Sequence, residues 1–326
     1  MKSPGGFGLL AGGEAPATSI DFAALFPTAY QVLQSDRGLS YGAVMRADPG
    51  NTSGVSFALT GATPAVPVPI WIKITSFGRA SIYYDGLGIT PTMTNVVVSD
   101  SVPIVLADAG SGMAITPGVG SQVTGNIWRA TCSGLNDQSG NGRHAIQLTP
   151  SKQPLVAVGR NGKPEILFGG GSENLRANFL PPAGTMGYLV YRIISGGSFN
   201  YIVDSNPGAG SNGYSIFING GAHSVFGYSG AYLPGGDIGL NAYNRTVIRW
   251  NAAASSIKLG SNPITSGDVG PLVPLVGMRT LGCRSDESSG ANIGLFAIVH
   301  CPPQPYAAAD AAINAAPSGY GPGIAV

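Results

Sequence analysis

The sequence predicts an all-β protein, with a small N-terminal β-sandwich followed by a larger antiparallel jelly-roll sandwich. Three observations lead to this fold class. The 326 residues include 50 Gly and 25 Pro, so the chain turns often. Apolar residues still make up 44% of the chain, which is enough to form a core. Short apolar runs rich in β-branched and aromatic residues recur at spacings of about 8 to 12 residues, as in sandwich folds.

Residues 1–38 are predicted to form an N-terminal arm. Residues 1–20 are rich in Gly, Ala and Pro and show no periodicity, which is typical of a flexible segment. Ordering such a segment costs conformational entropy, so the segment needs contacts with a partner to become ordered. We expect that partner to be another chain of an assembly. Its apolar part is broken by Gly and Pro, which predicts that it is not a secretory signal.

Residues 39–123 are predicted to form a small β-sandwich attachment domain. Asp85 and Gly86 separate two apolar runs and are typical of a tight hairpin, because Gly accepts the positive φ that the turn requires. The predicted strands are PIWIKIT (69–75), ASIYYDG (80–86), NVVV (95–98) and PIVLAD (103–108).

Residues 124–326 are predicted to form the larger sandwich, since eight further runs suggest two packed antiparallel sheets. An Ala-rich segment at 306–316 is predicted to be a helix. The runs are PEILF (164–168), GYLVYRII (187–194), NYIVD (200–204), GYSIFI (213–218), SVFGY (224–228), RTVIRW (245–250), SSIKLG (255–260) and IGLFAIVH (293–300).

The stretch LNDQSGNGRHAIQ (135–147) predicts a sharp reversal of the chain. Asp137 and Asn141 can hydrogen-bond to their own backbone, and Gly140 and Gly142 can adopt positive φ. A second interpretation is a calcium site formed by Asp137 and backbone carbonyls, because calcium prefers several oxygen ligands. Both interpretations stay open at this point.

The order of these motifs resembles the concanavalin A-like lectin/glucanase superfamily, and more narrowly the laminin-G-like jelly-roll domains of bacterial and phage surface proteins. The resemblance covers about residues 128–316 and implies a jelly roll. The final strand, IGLFAIVH, lacks the acidic residue usual in that family. The positions that carry the resemblance are Asp137, residues 139–142, His144, Gly162, Pro164, Phe168 and residues 293–299.

Catalytic motifs give little support for an enzyme, and the sequence predicts that the chain is not one. Glycoside hydrolysis needs two carboxyl groups flanking the bond, and no glutamate lies two to four residues from a second acid in a predicted strand. GAGSNG (208–213) fits a dinucleotide-binding pattern, but a strand follows it where a helix is required. The glutamates and histidines considered are Glu14, Glu165, Glu173, Glu287, His144, His223 and His300.

A carbohydrate site is predicted in the polar stretch GYSGAYLPGGDIGLNAYN (227–244). Sugars bind to aromatic faces beside amides and acids on loops or sheet faces. The alternative is that these tyrosines cover the core and keep their hydroxyl groups in water. The candidate residues are Tyr228, Tyr232, Asp237, Asn241 and Tyr243.

Charge and composition narrow the classes of partner. The 17 basic residues are scattered and the formal net charge is +1, which argues against nucleic acid. No apolar stretch reaches the length of about 18 residues that a membrane span requires. Three cysteines, Cys132, Cys283 and Cys301, cannot all pair within one chain and are expected to be buried thiols.

The resemblance and the Gly-rich arm together predict a non-enzymatic phage virion protein, made in the host cytoplasm. It would be a capsid decoration protein or a tail or fibre component that displays a lectin-like domain for host attachment. Its expected partners are other virion proteins, further copies of itself and a host surface glycan, with no cofactor other than calcium. The alternatives are a polysaccharide-cleaving enzyme and a free carbohydrate-binding module on the same jelly roll.

Overall fold

The computed structural model describes most of the chain. For residues 224–228 and residue 232 it describes the backbone alone. The predicted turn at Asp85-Gly86, the helix at 306–316, the loop GAGSNG and residues 1–20 lie outside the described residues. The described ranges are 21–64, 66–84, 91–106, 112–159, 163–182, 184–205, 215–219, 224–228, 231–237, 239–241, 243–260, 262–270 and 279–305.

Short strands dominate the described residues, and the helices are single turns. Helix α1 spans Phe22–Leu25 and α2 spans Ser35–Gly38, and 3-10 turns span Pro150–Lys152 and Ala252–Ala254. The first ten strands are β1 Gln31–Gln34, β2 Leu39–Tyr41, β3 Val44–Ala47, β4 Phe57–Thr60, β5 Trp71–Ser76, β6 Arg79–Tyr83, β7 Met93–Val97, β8 Ile104–Val105, β9 Ala114–Pro117 and β10 Ile127–Arg129. The others are β11 Cys132–Leu135, β12 Ala145–Ile146, β13 Leu155–Val158, β14 Pro164–Gly169, β15 Leu175–Ala177, β16 Met186–Ser195, β17 Asn200–Asp204, β18 Ser215–Asn219, β19 Ser224–Tyr228, β20 Tyr232–Asp237, β21 Tyr243–Arg249, β22 Ser255–Leu259, β23 Thr265–Gly267, β24 Arg279–Leu281 and β25 Asn292–Cys301.

The strands form three antiparallel sheets. The front sheet has the order β13-β14-β25-β16-β21-β22-β23. Strand β1 pairs with the C-terminal half of β25, at residues 297–300. The back sheet has the order β2-β11-β12-β15-β24-β17-β18-β19-β20. The inserted sheet has the order β7-β6-β5-β10-β3-β4-β9-β8.

The front and back sheets bury a common core between them. Leu189, Ile248 and Ile298 of the front sheet belong to the same buried cluster as Ile202 and Ile216 of the back sheet. Alternate residues of a strand point to opposite faces, so one face of each sheet supplies this core. The predicted all-β sandwich of jelly-roll type is confirmed.

The opposite face of the front sheet carries a second, smaller core. Phe22 and Phe26 of the N-terminal segment pack there against Tyr188, Val190 and Phe296. The rings of Phe26 and Tyr188 lie 4.8 Å apart between centroids. Residues 22–32 therefore cover part of the front sheet and belong to its packing.

The strand pairing differs from the predicted organisation at the N-terminus. Strand β1 pairs with β25 of the front sheet, and β2 pairs with β11 of the back sheet. The inserted sheet therefore lies in the chain between two strands of the larger sandwich. The predicted arm 1–38 includes residues that belong to that sandwich, because strands of three or four residues depend on distant partners that local sequence does not reveal. The other domain boundaries stay predictions.

The cysteines meet one expectation from composition. The cysteines are free and buried, and burial raises the pKa of Cys301 to about 11, so its thiol stays protonated at neutral pH. No helix among the described residues is long and apolar enough to cross a bilayer.

Candidate functional site

The strand register brings polar and aromatic positions together on one side of the back sheet. Ile202, Ile216 and Ile218 of strands β17 and β18 lie in the core. Residues directly opposite in paired strands share a face of the sheet, and neighbours along a strand alternate. Two rows of positions therefore cross the side that faces away from the core, here called the outer face. One row is Asp204, Ser215, Tyr228 and Tyr232, and the other is Tyr201, Phe217, Phe226 and Pro234.

Aromatic rings contact one another on the outer face. The ring of Phe217 lies 5.3 Å from that of Tyr201 and 5.7 Å from that of Phe199, with tilted geometry. Phe217 is fully buried but belongs to neither of the two core clusters. Phe199 is 40% exposed, and Tyr201 is half-buried. The contact therefore forms an aromatic surface that solvent reaches on the Phe199 and Tyr201 side.

A buried carboxylate lies beside these rings. The hydroxyl of Ser215 donates to Oδ1 of Asp204, and the backbone N–H of Ser285 donates to Oδ2 at 2.8 Å. Asp204 is fully buried, so these bonds replace the water that its charge has lost. They also fasten the segment 284–290 over strand β17, where Tyr201 N–H donates to the carbonyl of Ser289 at 2.9 Å.

The segment 284–290 adds two charged groups at the edge of the aromatic surface. The guanidinium of Arg284 lies 5.9 Å from the ring centroid of Tyr201 and 3.4 Å from a carboxylate oxygen of Asp286. The Asp286 side chain is 53% exposed, and a hydrogen bond from the Ser288 hydroxyl lowers the pKa of its carboxyl group. The outer face therefore presents an anion and a cation to solvent beside the rings.

A second ion-pair group anchors the other end of this segment. Glu287 accepts from Lys152 and from Arg176, and the bond from Lys152 contributes most to lowering the pKa of the glutamate. Arg176 and Asp204 both pair in register with Thr280, so Arg176 continues the first row. Glu287 itself has a φ of 66°, in the left-handed region. These bonds fix the path of the segment across the outer face.

The predicted carbohydrate residues are divided between two places. Tyr228 and Tyr232 are directly opposite each other in register, in the row of Asp204. Asp237 is exposed at the far end of the same strand pair, opposite Ser224. Asn241 donates its backbone N–H to the carbonyl of Ile193 in the front sheet at 2.7 Å. Tyr243 is 7% exposed and also belongs to the front sheet. A binding role for these residues stays a prediction.

Tyr243 belongs to an ion-pair cluster that sequence reasoning missed. Nε of Arg192 lies 3.0 Å from each carboxylate oxygen of Glu165, and the Tyr243 hydroxyl donates to the same carboxylate. A Cβ on Gly294 would lie 2.5 Å from that carboxylate, so a larger residue there would displace the Glu165 side chain from its position beside strand β25. The hydrogen bond that Arg192 donates to Glu165 raises the pKa of the arginine. The Glu165 carboxylate is therefore occupied by Arg192 and Tyr243 of the same chain. The sequence signal for this cluster was Gly294, a glycine inside a strand.

Asp137 organises the predicted turn. Its Oδ1 accepts from the N–H groups of Val32 and Ser139, at 2.9 and 3.0 Å. Its Oδ2 accepts from the N–H of Arg143 and the hydroxyl of Ser139, both at 2.9 Å. Burial alone would raise the pKa of Asp137, but these four donors lower it below 3.8. Gly140 and Gly142 have the predicted positive φ, of 81° and 67°.

These contacts occupy the oxygens that a cation would need. A carboxylate offers about four lone-pair sites, and protein donors take four at Asp137. In the part of the chain that the structure describes, no group of three or more His, Cys, Asp or Glu residues could hold a metal ion. The architectural interpretation of the turn explains every contact, and calcium stays a prediction.

Comparisons with known proteins give distant structural similarity only. No family model and no curated protein matches the sequence. A GH54 α-L-arabinofuranosidase soaked with a cyclic sulfate inhibitor is 15% identical with a TM-score of 0.44, over 67% of this chain and 60% of the other. Domain 4 of AbnA, a GH43 extracellular arabinanase from Geobacillus stearothermophilus in complex with arabinotriose, is 13% identical with a TM-score of 0.39. The match covers 54% of this chain and 92% of that domain. Mouse laminin α1 chain domains LG4-5 are 11% identical with a TM-score of 0.32, and the match covers 91% of this chain and 100% of the other.

One prediction is corrected by these comparisons. The sequence predicted that the chain is not an enzyme, and this was wrong as an exclusion, because a glycoside hydrolase is among the similar structures. Acids that are close along the chain are not the only ones that can act together, because a folded sheet brings together residues far apart in sequence. At these identities and TM-scores the similarity does not assign an activity or a ligand to this chain.

Proposed function

We propose that the outer face of the back sheet binds a carbohydrate chain. The observation that carries the proposal is that the rings of Tyr201 and Phe199, packed on the buried Phe217, lie on the same face as the Arg284–Asp286 pair. Aromatic and planar charged side chains in one place are the usual composition of a recognition surface.

The chemistry of the surface suits a neutral sugar. The C–H groups of a sugar ring pack against an aromatic face, whereas its hydroxyl groups need donors and acceptors. Arg284 supplies donors and Asp286 supplies acceptors, and their charges balance, so a charged ligand gains little overall. Strands β17 to β20 together span about 14 Å, which gives room for more than one sugar ring.

The site is held in place before any ligand arrives. Asp204 ties strands β17 and β18 to the segment 284–290, and Glu287 ties that segment to Lys152 and Arg176. Rigid positioning reduces the entropy lost on binding. The predicted setting, a virion component that attaches to a host surface, stays a prediction, and a glycan-binding face is what such a component would use.

Titration of single-residue variants tests the proposal. The wild type is titrated with neutral xylose, arabinose, glucose and mannose oligosaccharides by calorimetry. Tyr201→Ala is expected to weaken binding about tenfold, because a stacking surface is lost. Tyr201→Phe keeps the ring and should bind nearly as well, and Tyr83→Ala, a half-buried tyrosine of the inserted sheet, is the matched control.

Two results would overturn the proposal. One is that no oligosaccharide of the panel binds, and the other is that Tyr201→Ala and Tyr83→Ala weaken binding equally. The same incubations are analysed for shortened oligosaccharides, since carbohydrate cleavage is the second function that the sequence left open. Cleavage that survives Tyr201→Ala would place the chemistry elsewhere on the molecule.

A further inference from the structure

One end of the inserted sheet exposes large apolar side chains. Phe77, in the turn between β5 and β6, is 85% exposed, and Val119 is 79% exposed. Monomeric proteins seldom expose several large apolar side chains next to one another without a function. The set, here called the apolar end, is Phe77, Val97, Val102, Val119 and Val123.

These side chains belong to three neighbouring segments, at 77–78, 97–102 and 117–125, that touch. The Gln122 side chain accepts from the N–H of Gly78 at 3.1 Å and donates to the carbonyl of Val98 at 3.2 Å. The N–H of Val98 donates to the carbonyl of Gly78 at 3.0 Å, and that of Ser101 to Pro117 at 2.8 Å. These hydrogen bonds therefore hold the three segments side by side.

The charges at the apolar end are few and opposite in sign. In residues 75–79, 96–103 and 118–125 the charged residues are Arg79 and Asp100, one of each sign. Arg79 pairs in register with Val97, and Asp100 follows two residues after Val98. Within the described residues neither makes an ion pair, and Arg79 donates only to the carbonyl of Asn95. The apolar end therefore has no net charge, but it carries one positive and one negative side chain.

We infer that the apolar end binds a second copy of this chain through a two-fold contact. A two-fold axis places the same patch on both partners, so a contact between residue i and residue j occurs twice. A patch with one positive and one negative group then pairs Arg79 with Asp100 of the other copy in both directions. Phe77 and the valines of the two copies meet between these pairs.

The contact is small, and this sets its expected strength. Five side chains bury less than the roughly 800 Å² per partner that is usual in a stable interface. Association with a dissociation constant on the order of 0.1 mM is therefore expected. Two linked carbohydrate sites would gain avidity, although the inference does not depend on carbohydrate binding.

Sedimentation velocity at rising concentration tests the inference. The full chain is expected to shift from monomer towards dimer, and Phe77→Ser is expected to stay monomeric. Leu148→Ser is the control, because Leu148 is a similarly exposed apolar residue outside the apolar end, and this variant should dimerise like the wild type. Arg79→Asp and Asp100→Arg should each weaken self-association at least tenfold, and an equimolar mixture of the two should recover it.

Three outcomes would overturn self-association through the apolar end. The first is a monomer at all concentrations, and the second is dimerisation of Phe77→Ser at the wild-type strength. The third is a monomer that binds neutral phosphatidylcholine vesicles through Phe77, which would make the apolar end a lipid contact. Failure of the charge-swapped pair to recover association would contradict the two-fold arrangement.

Discussion

Asp137 shows how one side chain can fix a long-range contact. Through Val32 its carboxylate joins the turn at 137–143 to strand β1, which lies more than one hundred residues earlier. Asp137→Ala leaves four donors without this acceptor, so the free energy of unfolding should fall by about 2–4 kcal/mol. Urea unfolding measures the change.

Asp268→Ala is the control for this prediction, because Asp268 is exposed and accepts one backbone N–H, from Gly270. It should cost less than about 1 kcal/mol. Equal losses in the two variants would refute the architectural role of Asp137. A calcium-dependent rise in stability that Asp137→Ala abolishes would instead support the metal interpretation.

His300 gives the fold a predictable response to pH. It is fully buried beside Arg279, and burial, followed by the charge of Arg279, holds its pKa well below 6.5. The unfolded chain takes up a proton near its ordinary pKa of about 6.5, but the folded chain does not. The stability contributed by the neutral ring is therefore present above pH 6.5 and is lost as the pH falls towards 5.

The measurement is the urea midpoint between about pH 5 and pH 7.5, above the usual range for carboxyl groups. The His300→Gln variant should show a weaker fall in stability on acidification than the wild type. Identical slopes in the two proteins would show that His300 does not control this response.

At the residue scale, local chemistry could be predicted and cross-strand chemistry could not. The positive φ values of Gly140 and Gly142 follow from the turn composition alone. Glu165, Arg192 and Tyr243 lie on three strands, so their contact depends on sheet order. The spacing of residues along the chain does not determine which strands become neighbours in the sheet.

The N-terminal segment is the element whose role differs most from its sequence. It was predicted to be part of an arm, but Phe26 packs beneath the front sheet against Tyr188. Phe26→Ala should therefore reduce the free energy of unfolding by about 3–5 kcal/mol. Phe77→Ala, at an exposed aromatic residue, should change it by less than about 0.5 kcal/mol.

Thermal and urea unfolding of the two variants would measure this difference. A Phe26→Ala protein as stable as Phe77→Ala would mean that residues 22–32 do not contribute to the folded core. Destabilisation of both would point to an effect of aromatic removal unrelated to burial.

Strand content could be predicted because apolar runs mark long strands. All eight runs predicted in the larger sandwich overlap strands, from PEILF at β14 to IGLFAIVH at β25. The strands missed are mostly those of two to four residues, such as β1, β2, β11 and β12, together with the six-residue strand β20. Such strands show no periodicity of their own and form because a partner strand supplies the hydrogen bonds.

At the scale of the whole molecule, the chain forms a sandwich into which another sheet is inserted. Strand β10 of the inserted sheet is followed by β11 of the back sheet after two residues, and the N–H of Ala130 donates to the carbonyl of Ile70 at 2.9 Å. Phe57 and Trp128 contact edge to face inside the inserted sheet, and both belong to the main core cluster. A single range of residues cannot describe the larger sandwich, because its strands β2 and β11 lie on either side of the inserted sheet in the sequence.

The candidate site also depends on the whole molecule. The composition of the tyrosine-rich stretch pointed to Tyr228 and Tyr232, and their register places them in the row of Asp204. Arg284 and Asp286 come from a segment more than fifty residues later, so sequence alone could not join them to that row. The rings and charges meet only because β24 pairs with β17.

Hydrogen exchange of the backbone amides, with and without the tightest-binding oligosaccharide of the panel, tests the central claim most directly. Binding at the outer face predicts slower exchange in strands β17 and β18 and in the segment 284–290, with the inserted sheet unchanged. Protection centred on Glu165 and Arg192 of the front sheet, or no protection at any saturating concentration, would contradict the account.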